Sequence, residues 1–84
     1  MKYSLFILPR AQRELLELTS VPYGRIRDAI RKLAENPRPP VCLKLTGREG
    51  WRLRVGDLRV VYEIDDKEQK VTVLHIGHRR DVYR

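Results

Sequence analysis

The sequence predicts an α+β fold: an N-terminal strand, a helical hairpin, then a three-stranded antiparallel meander, with the helices packed on one face of the sheet. Three observations carry that expectation. Residues 51–64, WRLRVGDLRVVYEI, alternate on either side of Gly56-Asp57, a two-residue link whose leading glycine suits a type II′ hairpin turn. Residues 71–78, VTVLHIGH, resume the alternation after a polar loop from Asp65 to Lys70. Residues 10–35 carry apolar side chains at helical spacing, interrupted once at Thr19-Ser20-Val21-Pro22.

In chain order, residues 2–8 (KYSLFIL) read as a strand with Tyr3, Leu5 and Ile7 on one side and Phe6 and Leu8 on the other. Apolar groups on both faces predict a strand inside the sheet rather than at its edge. Pro9 stops it and fits the first turn of a helix, in which Ala11, Leu15 and Leu18 share one face. A second helix over residues 22–35 places Ile26, Ala29, Ile30 and Leu33 on one stripe, and its basic residues mostly elsewhere. Asn36-Pro37-Arg38-Pro39-Pro40 ends the helices. The connecting arm VCLKLTGREG is expected to tuck Leu43 and Leu45 under the sheet with Lys44 outward, leaving Cys42 in a loop.

Eighty-four residues make one domain, 1–84, with a thin core. The single cysteine forbids an internal disulfide and suits a reducing compartment. The apolar run from Tyr3 to Leu8 is too short for a secretory leader, and no stretch approaches a membrane span, so the expected location is the cytoplasm. A formal charge of +7 points to polyanionic partners, nucleic acid first and a membrane surface well behind.

Counting outward from Gly56-Asp57 pairs Val55 with Leu58, Arg54 with Arg59, Leu53 with Val60 and Arg52 with Val61. Strand alternation then projects Arg52, Arg54 and Arg59 from one face. Like charges directly opposite each other destabilise a pair by roughly a few tenths of a kcal/mol or more. Two readings fit the spacing equally: an anion held between the arginines, or a solvated outer face. If Asp65 pairs with Lys70, Glu63 lies opposite Thr72 and Arg59 opposite Ile76. The core face would then join Leu58, Val60, Tyr62 and Ile64 with Val71, Val73 and His75. The arginine face would carry Val61, Leu74 and Ile76 as apolar walls. The tail, GHRRDVYR, adds three arginines, a histidine and a tyrosine.

No metal or cofactor is expected. His75 and His78 fall on opposite faces by parity, the carboxylates are scattered, and there is no C-x-x-C and no glycine-rich phosphate loop. An arginine cluster beside Tyr83 and His78 suits RNA cleavage by the substrate's own 2′-hydroxyl. There the protein need only position the strand, stabilise a dianionic phosphorane and move protons. The same residues could bind RNA without cutting it.

WRLRVGDLRVVYEI followed by VTVLHIGHRRDVYR resembles the RelE branch of the RelE/ParE toxin superfamily, as do the order of elements and the chain length. The resemblance implies a RelE fold of the microbial ribonuclease type. It also implies the toxin of a type II toxin–antitoxin system, a ribosome-dependent endoribonuclease that cleaves messenger RNA in the A site. Its partners would be the ribosome, the message and an acidic, helical, RelB-like antitoxin, with no membrane and no DNA bound by the toxin alone. Position by position, the family's catalytic basic pair falls on Arg52 and Arg54, and its following arginine on Arg59. The last-strand arginine, which protonates the leaving 5′-oxygen, falls on Arg79 and the C-terminal tyrosine on Tyr83. Lys44, Arg80 and Arg84 are assigned to RNA contacts. The prototype has lysines where this chain has Arg52 and Arg54, and an arginine stays protonated at any useful pH. His78 is therefore the candidate base, its ordinary pKa being about 6.5. The ParE branch, which inhibits DNA gyrase by protein contact, is the alternative, and a nuclease-inactive RNA-binding relative a third.

Overall fold

The computed structural model describes residues 2–78. Strand β1 (Ser4–Ile7) leads into helices α1 (Pro9–Leu16) and α2 (Ser20–Leu33), followed by β2 (Cys42–Lys44), β3 (Trp51–Val55), β4 (Leu58–Asp65) and β5 (Lys70–His78). The strands form one five-stranded sheet in the order β1-β5-β4-β3-β2. β3, β4 and β5 are the expected antiparallel meander. β1 joins it parallel to β5, and β2 extends it beside β3.

The helices cover one face. Ala11 and Leu15 of α1 and Ile26, Ile30 and Leu33 of α2 pack on Leu53, Leu58, Val60, Tyr62, Val71, Val73 and Ile76. Each large apolar side chain removed from water here contributes about 1.5–3 kcal/mol. Pro9 occupies the first turn of α1, where its missing N–H costs no hydrogen bond. α2 begins at Ser20, two residues earlier than its internal proline suggested, with Thr19 at the N-cap in an extended conformation.

Two expectations are corrected. β1 is an edge strand, and Phe6, on the side expected to be covered, is 51% exposed. The arm is not a loop: Cys42–Lys44 pair with Trp51–Leu53, which buries Cys42 beside Leu53 and turns Leu43 outward, 53% exposed, opposite Arg52. Leu43 and Cys42 have therefore exchanged their expected places, because pairing to β3 fixes the alternation. Lys44 lies opposite Trp51, with its Nζ 5.4 Å from the indole centroid.

Side-chain contacts tie the proline-rich segment to the sheet. The buried Tyr62 hydroxyl donates to the Pro37 carbonyl at 2.8 Å, and burial pushes its pKa up. Arg38 makes a two-pronged contact with Asp66 in the β4–β5 turn (3.1 and 2.8 Å) and lies 5.2 Å from the Trp51 ring centroid. Tyr3 also donates to Asp66, at 2.7 Å. The Arg38 guanidinium, and then the Tyr3 hydroxyl, hold the Asp66 carboxyl down at about 2. A depressed folded-state pKa stabilises the fold above the unfolded carboxylate range, and that contribution is lost as pH falls toward 2. Asp66 should titrate near 2 by NMR, and Arg38→Ala should return it toward the ordinary carboxylate range.

Candidate active site

The face of the sheet away from the helices carries the arginines. Gly56 takes a positive φ of 61°, and Asp57 does not share it, as a type II′ turn requires. That turn fixes the β3–β4 register at Arg52↔Val61, Leu53↔Val60, Arg54↔Arg59 and Val55↔Leu58, as the spacing predicts. Directly opposed residues share a face, so Arg52, Arg54 and Arg59 stand together with Val61 among them.

The three differ sharply in environment. Arg54 is exposed, and Arg52 is half-buried and has a partner of its own. Arg59 is only 5% exposed, the one buried charged side chain among the described residues. Its Nη1 donates to the carbonyl of Leu58 at 3.3 Å, and among the described residues no carboxylate lies within ion-pair distance of it. A buried cation without a counter-charge carries a desolvation penalty that an anion at the site would offset. Arg54 directly across adds to the positive potential. Chemically, the arrangement gathers guanidinium N–H donors of a kind that can bind an oxyanion or phosphate, with Val61 among them.

The β4–β5 register departs from the regular count. Asp65↔Lys70, Glu63↔Thr72 and Tyr62↔Val73 pair as expected, but Val61 then pairs with His75, so Leu74 is an extra residue, a β-bulge. Beyond it Val60 faces Ile76, Arg59 faces Gly77 and Leu58 faces His78. Three assignments change as a result. Ile76 enters the core at 2% exposure instead of walling the arginine face, and His75 leaves the core face. Arg59 is set opposite a residue with no side chain rather than against Ile76.

His78 is not brought to the arginines. Opposite Leu58, it lines a cleft of about 480 Å³ on the helix side, with Leu18, Pro22 and Arg25 from the helices and Val55 and Asp57 from the hairpin tip. The bulge shifts parity by one beyond Leu74, and His78, whose face the alternation left open, lies with Leu58 on the helix side. His78→Ala should accordingly leave the shape of any pH–rate profile unchanged. Lys44 likewise shares its face with Trp51 and not with Arg52. Arg79, Arg80, Tyr83 and Arg84 lie outside the described residues.

One pair escaped the sequence reading. Glu14 of α1 contacts the His75 ring, with Nδ1 2.8 Å from Oε1 and 2.7 Å from Oε2, and its Oε1 also accepts the Ile76 N–H at 2.9 Å. The signal was there: Glu14 falls within the apolar stripe formed by Ala11, Leu15 and Leu18.

Comparison with known proteins adds the context. The family model described as ParE toxin of type II toxin–antitoxin system matches residues 5–83. Among solved structures, the chain is similar to a RelBE toxin–antitoxin complex from Mycobacterium tuberculosis, with 26% identity and a TM-score of 0.81 over 94% of this chain and 100% of that one. It is similar to an archaeal RelE–RelB complex from Pyrococcus horikoshii OT3, with 26% identity and a TM-score of 0.81 over 98% and 100% of the two chains. The isolated RelE toxin of E. coli matches at 27% identity and a TM-score of 0.79, over 96% of this chain and 90% of that one. No curated protein matches the sequence.

Proposed function

We propose, from the premise that this chain belongs to the ParE toxin family of type II toxin–antitoxin systems, that it acts as a RelE-type endoribonuclease, cutting messenger RNA on the ribosome. The observation that supports this best is Arg59: a buried guanidinium with no described counter-charge, opposite a second arginine, on the face away from the helices. A protein that works only by docking on another protein has little use for a buried, unneutralised cation. One that holds a phosphodiester through its pentacoordinate state does.

In this reading the RNA supplies the nucleophile. Its 2′-hydroxyl oxygen gives up its proton to water and attacks the adjacent phosphorus, the bond to the 5′-oxygen breaks, and a 2′,3′-cyclic phosphate remains. Arg59 and Arg54 bind the non-bridging oxygens and Arg52 steadies the strand. Arg79 gives a proton to the leaving oxygen, while Tyr83 stacks on a base. No metal takes part. None of these arginines serves readily as a base, so acceleration rests on positioning and electrostatics, with the ribosome arranging the strand. Bare RNA should be cut weakly. Tyr83→Phe should retain more activity than Tyr83→Ala in single-turnover assays, since stacking outweighs the hydroxyl; equal loss in both would make Tyr83 a proton carrier.

RelB–RelE complexes among the structural relatives support a cognate antitoxin as partner. The charge of +7 favours an acidic one. The family match itself favours a second reading, a ParE-like inhibitor of DNA gyrase. Parallel assays separate the two. With programmed ribosomes the message should be cut while gyrase supercoils normally. An intact message with blocked supercoiling would establish the second reading.

A further inference from the structure

We infer that Glu14 and His75 are positioning residues for the arginine site: they pin the β5 bulge that places Arg59 opposite Gly77. The inference rests on the catalytic reading of Arg59 given above, and its test is chosen to be independent of that reading.

β1 pairs with β5 only from Ser4↔Lys70 to Ile7↔Val73, and the Leu8 N–H makes the last contact, to the Val73 carbonyl at 3.0 Å. Beyond Val73, no strand among the described residues lies beside this edge of β5. An unpaired backbone N–H at such an edge is free to slip or to find another partner. Glu14 fills the gap from α1, taking the Ile76 N–H and the His75 ring at once. Because both carboxylate oxygens face Nδ1, that nitrogen carries the ring proton.

The two residues that Glu14 holds come directly after Leu74, the extra residue of the bulge. The contact is largely shielded, with the His75 side chain 12% exposed and that of Glu14 22%. A charge-assisted hydrogen bond in such a place is stronger than a surface pair. Arg10, 3.3 Å from the second oxygen but 64% exposed, adds only a screened contact.

Two registers compete for β5. Without the bulge, the count from Asp65↔Lys70 sets Ile76 against Arg59 and expels it from the core. With the bulge, Ile76 packs against Val60 and Arg59 faces glycine. Core packing of Ile76 and the Glu14 carboxylate favour the same answer. The carboxylate fixes it at the residues that flank Arg59 on the neighbouring strand. Glu14 thus acts on the phosphate site from the helix side, without touching substrate.

The register can be read directly. The Ile76 N–H points at Glu14 and away from β4, so Val60 and Ile76 form a non-hydrogen-bonded pair with closely spaced Hα atoms. A Val60–Ile76 Hα cross-peak is expected in NMR spectra of the unmodified chain, with slow hydrogen exchange at the Ile76 amide. In Glu14→Ala the cross-peak should vanish, and kcat for cleavage should fall on the order of 10²-fold, more than KM changes, as for a misplaced catalytic group. Glu14→Gln keeps an acceptor for the Ile76 N–H and should keep both the cross-peak and most of the rate. A Glu14→Ala protein with the parental cross-peak would overturn the inference. So would rapid exchange at Ile76 in the unmodified chain, which needs no variant to fold. Absence of cleavage in the parental protein would refute the proposed function alone, while the cross-peak would still decide the register.

Discussion

Replacing Arg59 with Met should abolish most cleavage while leaving the fold at least as stable as before. The two halves of that expectation have one cause. Arg59 is 5% exposed, its only described hydrogen-bond partner is the Leu58 carbonyl, and Arg54 is directly across the strand pair. Among the described residues nothing compensates this desolvated charge, and an apolar side chain of similar length removes the penalty. If the site works as proposed, the same guanidinium faces a phosphorane dianion in the transition state. Losing one such donor typically costs on the order of 10²–10³ in rate, or about 3–4 kcal/mol. Single-turnover cleavage and chemical denaturation of the same preparation check both halves. A structural arginine would show the reverse pattern, with stability lost and activity kept in whatever fraction stays folded.

Arg79→Ala should match that loss in rate and differ from it in one respect. If Arg79 donates the proton to the departing 5′-oxygen, a substrate with a better leaving group at that oxygen should recover much of the lost rate in Arg79→Ala. It should recover little in Arg59→Met. A 5′-thio-substituted scissile linkage provides the comparison, since sulfur leaves without help from a proton donor. Equal rescue of the two variants would mean that both arginines stabilise the phosphorane and that neither serves the leaving group. Arg25→Ala on α2, in a cleft on the helix side, is the control, and it should alter ribosome affinity slightly and the chemical step not at all.

How much of this was legible in the sequence depended on what fixes each register. Gly56-Asp57 is a two-residue turn, so the count outward from it could hardly slip, and all four expected β3–β4 pairs are present. That placed Arg52, Arg54 and Arg59 on one face from the sequence alone. The β4–β5 register could not be read in the same way. Nothing in VTVLHIGH marks Leu74 as the extra residue, and a one-residue insertion exchanges the faces of everything after it. His75 and Ile76 were misassigned for that single reason. β2 was missed because a three-residue strand has too few positions to display alternation, and its outward Leu43 looked like a core residue. The burial of Arg59, 5% exposed, was not visible either, since the residue type predicts a solvated side chain.

The reaction itself is tested most directly by the chemistry of the cut ends. A programmed ribosome carrying a message with a single 2′-deoxy nucleotide at the scissile position should resist this protein completely. The all-ribose message should yield a 2′,3′-cyclic phosphate or 3′-phosphate on one fragment and a 5′-hydroxyl on the other. Cleavage of the deoxy-substituted message, or a 5′-phosphate on the downstream fragment, would mean that water rather than the 2′-hydroxyl attacks, and would contradict an arginine site built to stabilise an internal phosphorane.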